Sequence, residues 1–260
     1  MKTFAALAAA VALFAGADAL AQQQTLLIKD AKPDEVRMLV TNSIRGPIEA
    51  VIAEASKAIG KPIVIQWGSA RRDLKEEALS GQAFEVAMLV PDVDEDLLKA
   101  GKIMPGSAEI ARVDVAIGLR GDATGLDVST PAKLKEAMLK ARSIKYSPLG
   151  AALMTVRKVL STLQIADRIK DSSRASEPVV LSPGEYELNF YPLSEILKNK
   201  DLVNLGPVTR ELQVPVIVTA VVGKKANDEK AARALIRFLQ GPTIDAALAS
   251  SGMTKGHAVN

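Results

Sequence analysis

Hydrophobic and polar positions along this chain change period repeatedly. VRMLVT (36–41) is a nearly unbroken apolar run and reads as a buried strand. NSIRGP turns the chain, and PIEAVIAEASKAIG then sets Ile48, Val51, Ile52, Ala55 and Ile59 on one helical face, with Gly60 as the stop. PIVIQW predicts a second strand, RRDLKEEALSG a helix ending at Gly81, FEVAMLV a third strand and DVDEDLLKAG a short helix before Gly101. Strand and helix alternate, which argues for a parallel sheet with helices on its faces. In such sheets ligands gather beyond the C-terminal ends of the strands. Ser43 and Ser69 fall in those loops, directly after the first and second strands.

The pattern then restarts. VDVAIGLR (113–120) reads as a strand, 122–127 as a polar loop, and Thr130-Pro131 as the cap and first position of a helix. SIKYS is a strand ending at Ser147, 149–164 a helix, 188–191 a strand before another helix, and LQVPVIVTAVV (212–222) a long apolar strand. Two closing helices stop at Gly241 and Gly252. No repeat and no Pro/Gly/Ser-rich linker divides the chain. The expectation is two α/β lobes joined by crossing strands at 113–120 and 212–222. One lobe is built from 22–112 with a return at 213–260, the other from 113–212.

Residues 1–21 are set apart. Lys2 precedes an apolar run over 4–16, and Ala19-Leu20-Ala21 forms a small-x-small cleavage site. The run is too short to cross a bilayer, so a cleaved secretory signal peptide and an exported, periplasmic product are expected.

Composition narrows the chemistry. Of 260 residues, 48% are hydrophobic and only 3% aromatic, so the core is aliphatic and stacking platforms for single-stranded nucleic acid are scarce. The net charge of +3 is spread without a basic block, which argues against a nucleic-acid partner. The absence of cysteine removes disulfides, thiolate metal sites and cysteine nucleophiles. His257, the single histidine, stands near the C-terminus, a poor place for a Ser-His pair. The chain has no G-x-S-x-G, H-E-x-x-H, Walker loop or dinucleotide fingerprint. PDVDED is carboxylate-dense, but it reads as a helix start rather than a calcium loop. No cofactor and no metal are expected.

QWGSARRDL (66–74) is the chemically suggestive stretch. A strand ends at Gly68-Ser69, and two arginines precede a helix pattern. Helix starts expose unpaired N–H groups and a partial positive charge, and so bind anions. Serine hydroxyls satisfy oxygens without a charge to desolvate, whereas the planar fork of arginine matches a carboxylate through two parallel bonds. Arg71 and Arg72 therefore tilt the ligand towards an organic acid. Plainer readings stand beside this one: a solvated face shared with Asp73, Glu76 and Glu77 for the arginines, a helix cap for Ser69 and a turn for Ser43. Trp67, Tyr146, Tyr186 and Tyr191 read as packing.

The ordered segments VTNSIRGPIEAVIAEASKAIGKPIVIQWGSA, LSGQAFEVAMLVPDVDEDLLKAGKI, IARVDVAIGLR, DVSTPAKLKEAMLKARSIKYS, SPGEYELNFYPLSEIL, LGPVTRELQVPVIVTAVV and AARALIRFLQGPTIDAALASSGM cover nearly all of the chain after residue 21. In that order they resemble the periplasmic solute-binding proteins of ATP-binding-cassette (ABC) transporters, in particular the molybdate-binding-protein-like branch. The resemblance implies a two-lobed type II periplasmic-binding-protein fold with the ligand trapped in the interlobe cleft. It implies a monomer that delivers a small anion to an ABC permease of the inner membrane. Ser43 matches the first serine of the family's oxyanion site, Ser69 the second, and Ser147 lies where the second lobe meets the cleft. Asn42 and Tyr191 complete the expected ligand set with Arg71 and Arg72. The family's small hydroxylated second loop is replaced here by GSARRDL, and Pro192 stands at the site of a tyrosine, beside Tyr191. The same branch resembles a bacterial aconitate isomerase. On that alternative the arginines clamp carboxylates, and Glu185 or Tyr191 shuttles the proton.

Overall fold

The computed structural model describes residue 32 and residues 34–123, 125–169 and 179–257; the expected signal peptide lies outside the described residues. The first sheet is built by β1 (Val36–Thr41), β2 (Ile63–Gly68), β3 (Val86–Leu89), β4 (Ala108–Val113), β9 (Val216–Val222) and β10 (Met253–Lys255), in the order β10-β4-β9-β3-β1-β2. The second is built by β5 (Val115–Gly121), β6 (Ser143–Lys145), β7 (Tyr186–Pro192) and β8 (Val203–Pro207), in the order β6-β7-β5-β8. Helices flank both, giving the expected two-lobed α/β architecture.

In the first lobe, β1 runs parallel to both β2 and β3. The three loops that leave these strands, at 42–44, 69–70 and 90, therefore share one edge of the sheet. Helix α1 (Arg45–Ile59) follows β1 and buries Ile48, Val51 and Ala55 of the stripe its periodicity announced, leaves Ile52 and Ile59 half-buried, and is ended by Gly60 at φ +69°. Helix α3 (Pro91–Lys99) follows β3 with proline at its start, and α8 (Glu229–Gln240) and α9 (Asp245–Ser250) close the lobe. In the second lobe β6 is parallel to β7, so the loops after both emerge together. They lead to α5 (Leu153–Leu163) and to the short α7 (Leu193–Ile196), while α4 (Pro131–Lys140) precedes β6 and starts, as its sequence demands, with Lys133 N–H donating to Thr130 Oγ1 at 3.2 Å.

Three differences from the sequence pattern matter for the cleft. The segment RRDLKEEALSG is not one α-helix. A π-helical turn over Ala70–Leu74 comes first, with Leu74 N–H reaching the Ser69 carbonyl at 3.1 Å, and α2 (Lys75–Ser80) follows. Gly68 makes room for this wide turn, since a Cβ there would lie 3.0 Å from Leu74 Cδ2. Helix α5 starts later than periodicity suggests, because residues 147–150 form a turn closed by Gly150 N–H to Ser147 O at 3.0 Å. Finally, 113–120 is not a single strand: it divides at Asp114, β4 belonging to the first sheet and β5 to the second.

The chain thus passes between the sheets at Asp114 and again between β8 and β9. Gln213 ties the two passages together. Its Oε1 accepts from Val115 N–H at 3.1 Å, and its Nε2 donates to the carbonyls of Val115 (3.0 Å) and Val208 (3.3 Å). Thr155 Oγ1 on α5 lies 2.7 Å from the Val214 carbonyl and accepts from Val214 N–H at 3.1 Å.

Candidate functional site

The loops leaving the parallel strands of the two sheets face each other. Ser43 sits in a 3-10 turn over Asn42–Ile44, buried, with its hydroxyl 3.4 Å from that of Thr41. Its carbonyl accepts from Ser194 Oγ of α7 at 2.6 Å, a bond between the lobes. Ser69 makes no side-chain cap; its hydroxyl crosses the cleft to the Leu149 carbonyl at 3.0 Å. The cap expected for it is taken over by Asp73, whose Oδ2 accepts from Ser69 N–H at 3.0 Å.

Arg71 and Arg72 part company. The Arg71 side chain is 11% exposed and holds Asp92 in a two-pronged pair, Nε to Oδ2 at 2.7 Å and Nη2 to Oδ1 at 2.9 Å. Its Nη1 reaches across to the Gly150 carbonyl at 2.5 Å. Arg72 turns to solvent and pairs with Asp73 at 2.8 Å, and that bond holds its guanidinium pKa above the ordinary value. Consecutive residues of a helical turn point in different directions, so the pair cannot act as one clamp. Ser147 opens the turn whose next carbonyls, Leu149 and Gly150, meet Ser69 and Arg71.

Two cavities flank these bridges. One, of about 270 Å³, lies among Arg71, Asp92, Ala151, Met154 and Pro215. The other, of about 290 Å³, is lined from the first lobe by Asn42, Ser43, Arg45 and Gly46, and from the second by Ser194, Glu195, Lys198 and Asn199. Arg45 also stands over the Trp67 ring, 5.0 Å from its centroid. Burial pushes the Glu195 carboxyl up to about 7 although part of the residue still meets solvent. Tyr191, at the end of β7, is half-buried, and burial with the nearby charge of Glu195 raises its phenol. Glu185 stands before the other end of the seven-residue β7, about 20 Å from Tyr191 at strand rise, and is capped by Ser182 N–H at 2.9 Å. That distance removes it from the cleft. His257 lies beside β10 at the far edge of the first sheet, its N–H on Glu109 Oε1 at 3.1 Å. Among the described residues no group of three or more His, Cys, Asp or Glu is placed to hold a metal.

Asp92, Ser194, Glu195 and Lys198 were not singled out by the sequence. Asp92 stood in PDVDED, read only as a helix start; the clue to its role is the strand order, which sets the loops after β2 and β3 on the same edge. For Ser194 and Glu195, 151 and more residues from the loop they meet, no local signal exists.

Two sheets bridged by paired crossings, with loop ends opposed over a cleft, define a two-lobed solute-binding protein. The profile of the bacterial extracellular solute-binding protein family matches residues 36–254, and the chain belongs to that family. The chain is 28% identical over 228 residues to the molybdate-binding protein of Azotobacter vinelandii, covering 84% of this chain and 88% of that one. It is 23% identical over 244 residues to an aconitate isomerase of a Pseudomonas species, covering 90% and 93%. The solved structure of the Azotobacter vinelandii periplasmic molybdate-binding protein superposes with a TM-score of 0.65 at 19% identity, over 84% of this chain and 98% of that one, and so shares the fold.

Proposed function

We propose that this protein captures a small anion, an inorganic oxyanion or an organic acid, between its lobes in the periplasm and delivers it to an ABC importer. Lobe 1 would run over 22–112 and 213–260, lobe 2 over 113–212. The observation that carries the reading is that the loops expected to hold the ligand are those that bridge the lobes: Ser69 to Leu149, Arg71 to Gly150 and Ser43 to Ser194. A ligand seated at these loop ends is enclosed when the lobes meet, and every polar group it leaves unpaired costs about 1–3 kcal/mol, which is the source of selectivity. Asn42, Ser43, Ser69 and Arg71 would contribute from the first lobe, Ser147 and Tyr191 from the second, with Arg72 at the rim. Thermal unfolding with molybdate, tungstate, sulfate and di- and tricarboxylates tests this. A bound anion at 100 times its Kd stabilises by about 2.7 kcal/mol. Unchanged melting with every anion would refute the reading.

One observation favours a second reading, an aconitate isomerase. Moving a double bond in a tricarboxylate requires removing a proton from one carbon and returning it to another, best done by a group that titrates near neutrality. Glu195, pushed up to about 7 by burial, has that property and neighbours Tyr191. Ultraviolet absorbance of cis- and trans-aconitate incubated with the protein decides it: interconversion, lost in Glu195→Gln, supports the enzyme, and no interconversion removes it.

A further inference from the structure

Building on the reading of this chain as an anion-capturing protein, we propose that the cavity between Ser43 and Glu195 is a carboxylate subsite, in which Arg45 and Lys198 attract the ligand and the Glu195 side chain donates a hydrogen bond to it. Binding then takes up a proton from solvent.

The cavity is built by both lobes and measures about 290 Å³, the lower end of the range for small organic ligands. Its charges decide the chemistry. Among the described residues, Arg45 and Lys198 both stand near Glu49 on α1: Arg45 Nε lies 2.7 Å from Oε1, while Lys198 Nζ stands 3.9 Å from Oε2, beyond hydrogen-bond length. Glu195, at the third position of α7, has no hydrogen bond or ion pair with any described residue.

Among the described residues, Arg45 and Lys198 line the cavity with Glu195, Glu49 of α1 stands beside those two cations, and Tyr191 of β7 lies near the Glu195 charge. Protonated, Glu195 offers the cavity an O–H donor and brings no negative charge to oppose a ligand carboxylate. An O–H···O⁻ bond to a carboxylate is among the short, strong hydrogen bonds. An anion therefore selects the protonated state. Burial already holds the carboxyl near neutrality, at about 7, so proton uptake falls in an accessible range.

Isothermal titration of the full chain with succinate and cis-aconitate, and with sulfate and molybdate as inorganic probes, tests this between pH 6.5 and 8.5 in two buffers of different ionisation enthalpy. The expected result is carboxylate binding that weakens about 20-fold across this range, with close to one proton taken up per ligand at pH 8.5. Glu195→Gln, whose amide still donates, binds with an affinity that no longer depends on pH and takes up no proton; Glu195→Ala binds more weakly than Glu195→Gln at both ends. Carboxylate binding of equal strength at both pH values, or an unchanged pH profile in Glu195→Gln, overturns the subsite. Binding of sulfate or molybdate alone, without proton uptake, overturns it while leaving anion capture standing. No binding of any of the four anions at either pH overturns both.

Discussion

The hydroxyl of Ser194 donates to the main-chain carbonyl of Ser43 at 2.6 Å, joining α7 of one lobe to the loop after β1 of the other. Both residues are buried, at 4% and 1% exposure, so this bond exists only while the lobes are shut at that point. Replacing Ser194 with alanine leaves a buried carbonyl without its donor, which costs about 1–3 kcal/mol. Ser194→Ala is expected to lower the melting temperature and to raise the radius of gyration measured by small-angle scattering. An unchanged radius would mean that other contacts hold the lobes closed.

Arg71 supplies the second bridge. Arg71→Lys keeps the charge but loses the two-pronged match to Asp92 and the reach to the Gly150 carbonyl. Anion affinity should fall about tenfold or more, equivalent to about 1.4 kcal/mol. Arg72→Lys, whose parent side chain is exposed and paired with Asp73, should leave affinity within about twofold. Equal losses in the two variants would contradict the division of labour between these neighbours.

Gly46 is packed against Lys198: a Cβ there would stand 2.6 Å from Nζ and 2.7 Å from Cε. The lysine end is flexible, so Gly46→Ala should fold, and its greater helix propensity adds up to about 1 kcal/mol. The same methyl pushes Lys198 out of the cavity beside Glu195. A protein that melts higher yet binds anions more weakly is the expected combination; weaker binding with a lower melting point would point to plain disruption.

Two carboxyls should make stability fall as pH rises. Burial pushes Asp94 up to about 6 against the opposing effect of the hydrogen bond it accepts from Ser107 Oγ at 2.9 Å. Glu195 is pushed up to about 7. For an acid whose folded pKa is raised, stability is fully present below the unfolded value and is lost as pH rises through the folded one. The loss should span about pH 4 to 6 for Asp94 and about pH 4.5 to 7 for Glu195, amounting to about 1–3 kcal/mol each. Denaturant unfolding at pH 5 and 8 checks this: Asp94→Asn and Glu195→Gln should each flatten the profile, and a wild-type curve rising with pH would contradict it.

Much of the scaffold was written in short-range pattern. The stripe of α1, the Thr130-Pro131 start of α4 and the stop at Gly60 are local matters of periodicity and capping, and they stand where the pattern put them. Less visible were β4, β8 and β10, short strands whose pairing is set by distant partners. The site divides in the same way. Ser43 and Ser69 follow strands, so fold class alone put them at the sheet edge. That Arg71 turns inward and Arg72 outward depends on the π-helical turn over 70–74, which periodicity does not report. Glu195 read as one more polar residue of a helix; its altered acidity comes from the loops packed around it.

The side-chain amide of Gln213 grips the main chain of both passages between the sheets, at Val115 and Val208. Sliding one half along the other would break these bonds, whereas a swing about Gln213 would keep them. On the anion-capturing reading, capture and release would be two angles about that pin. A substitution at Gln213 would loosen the pivot, altering how fast a guest leaves more than which guest is chosen.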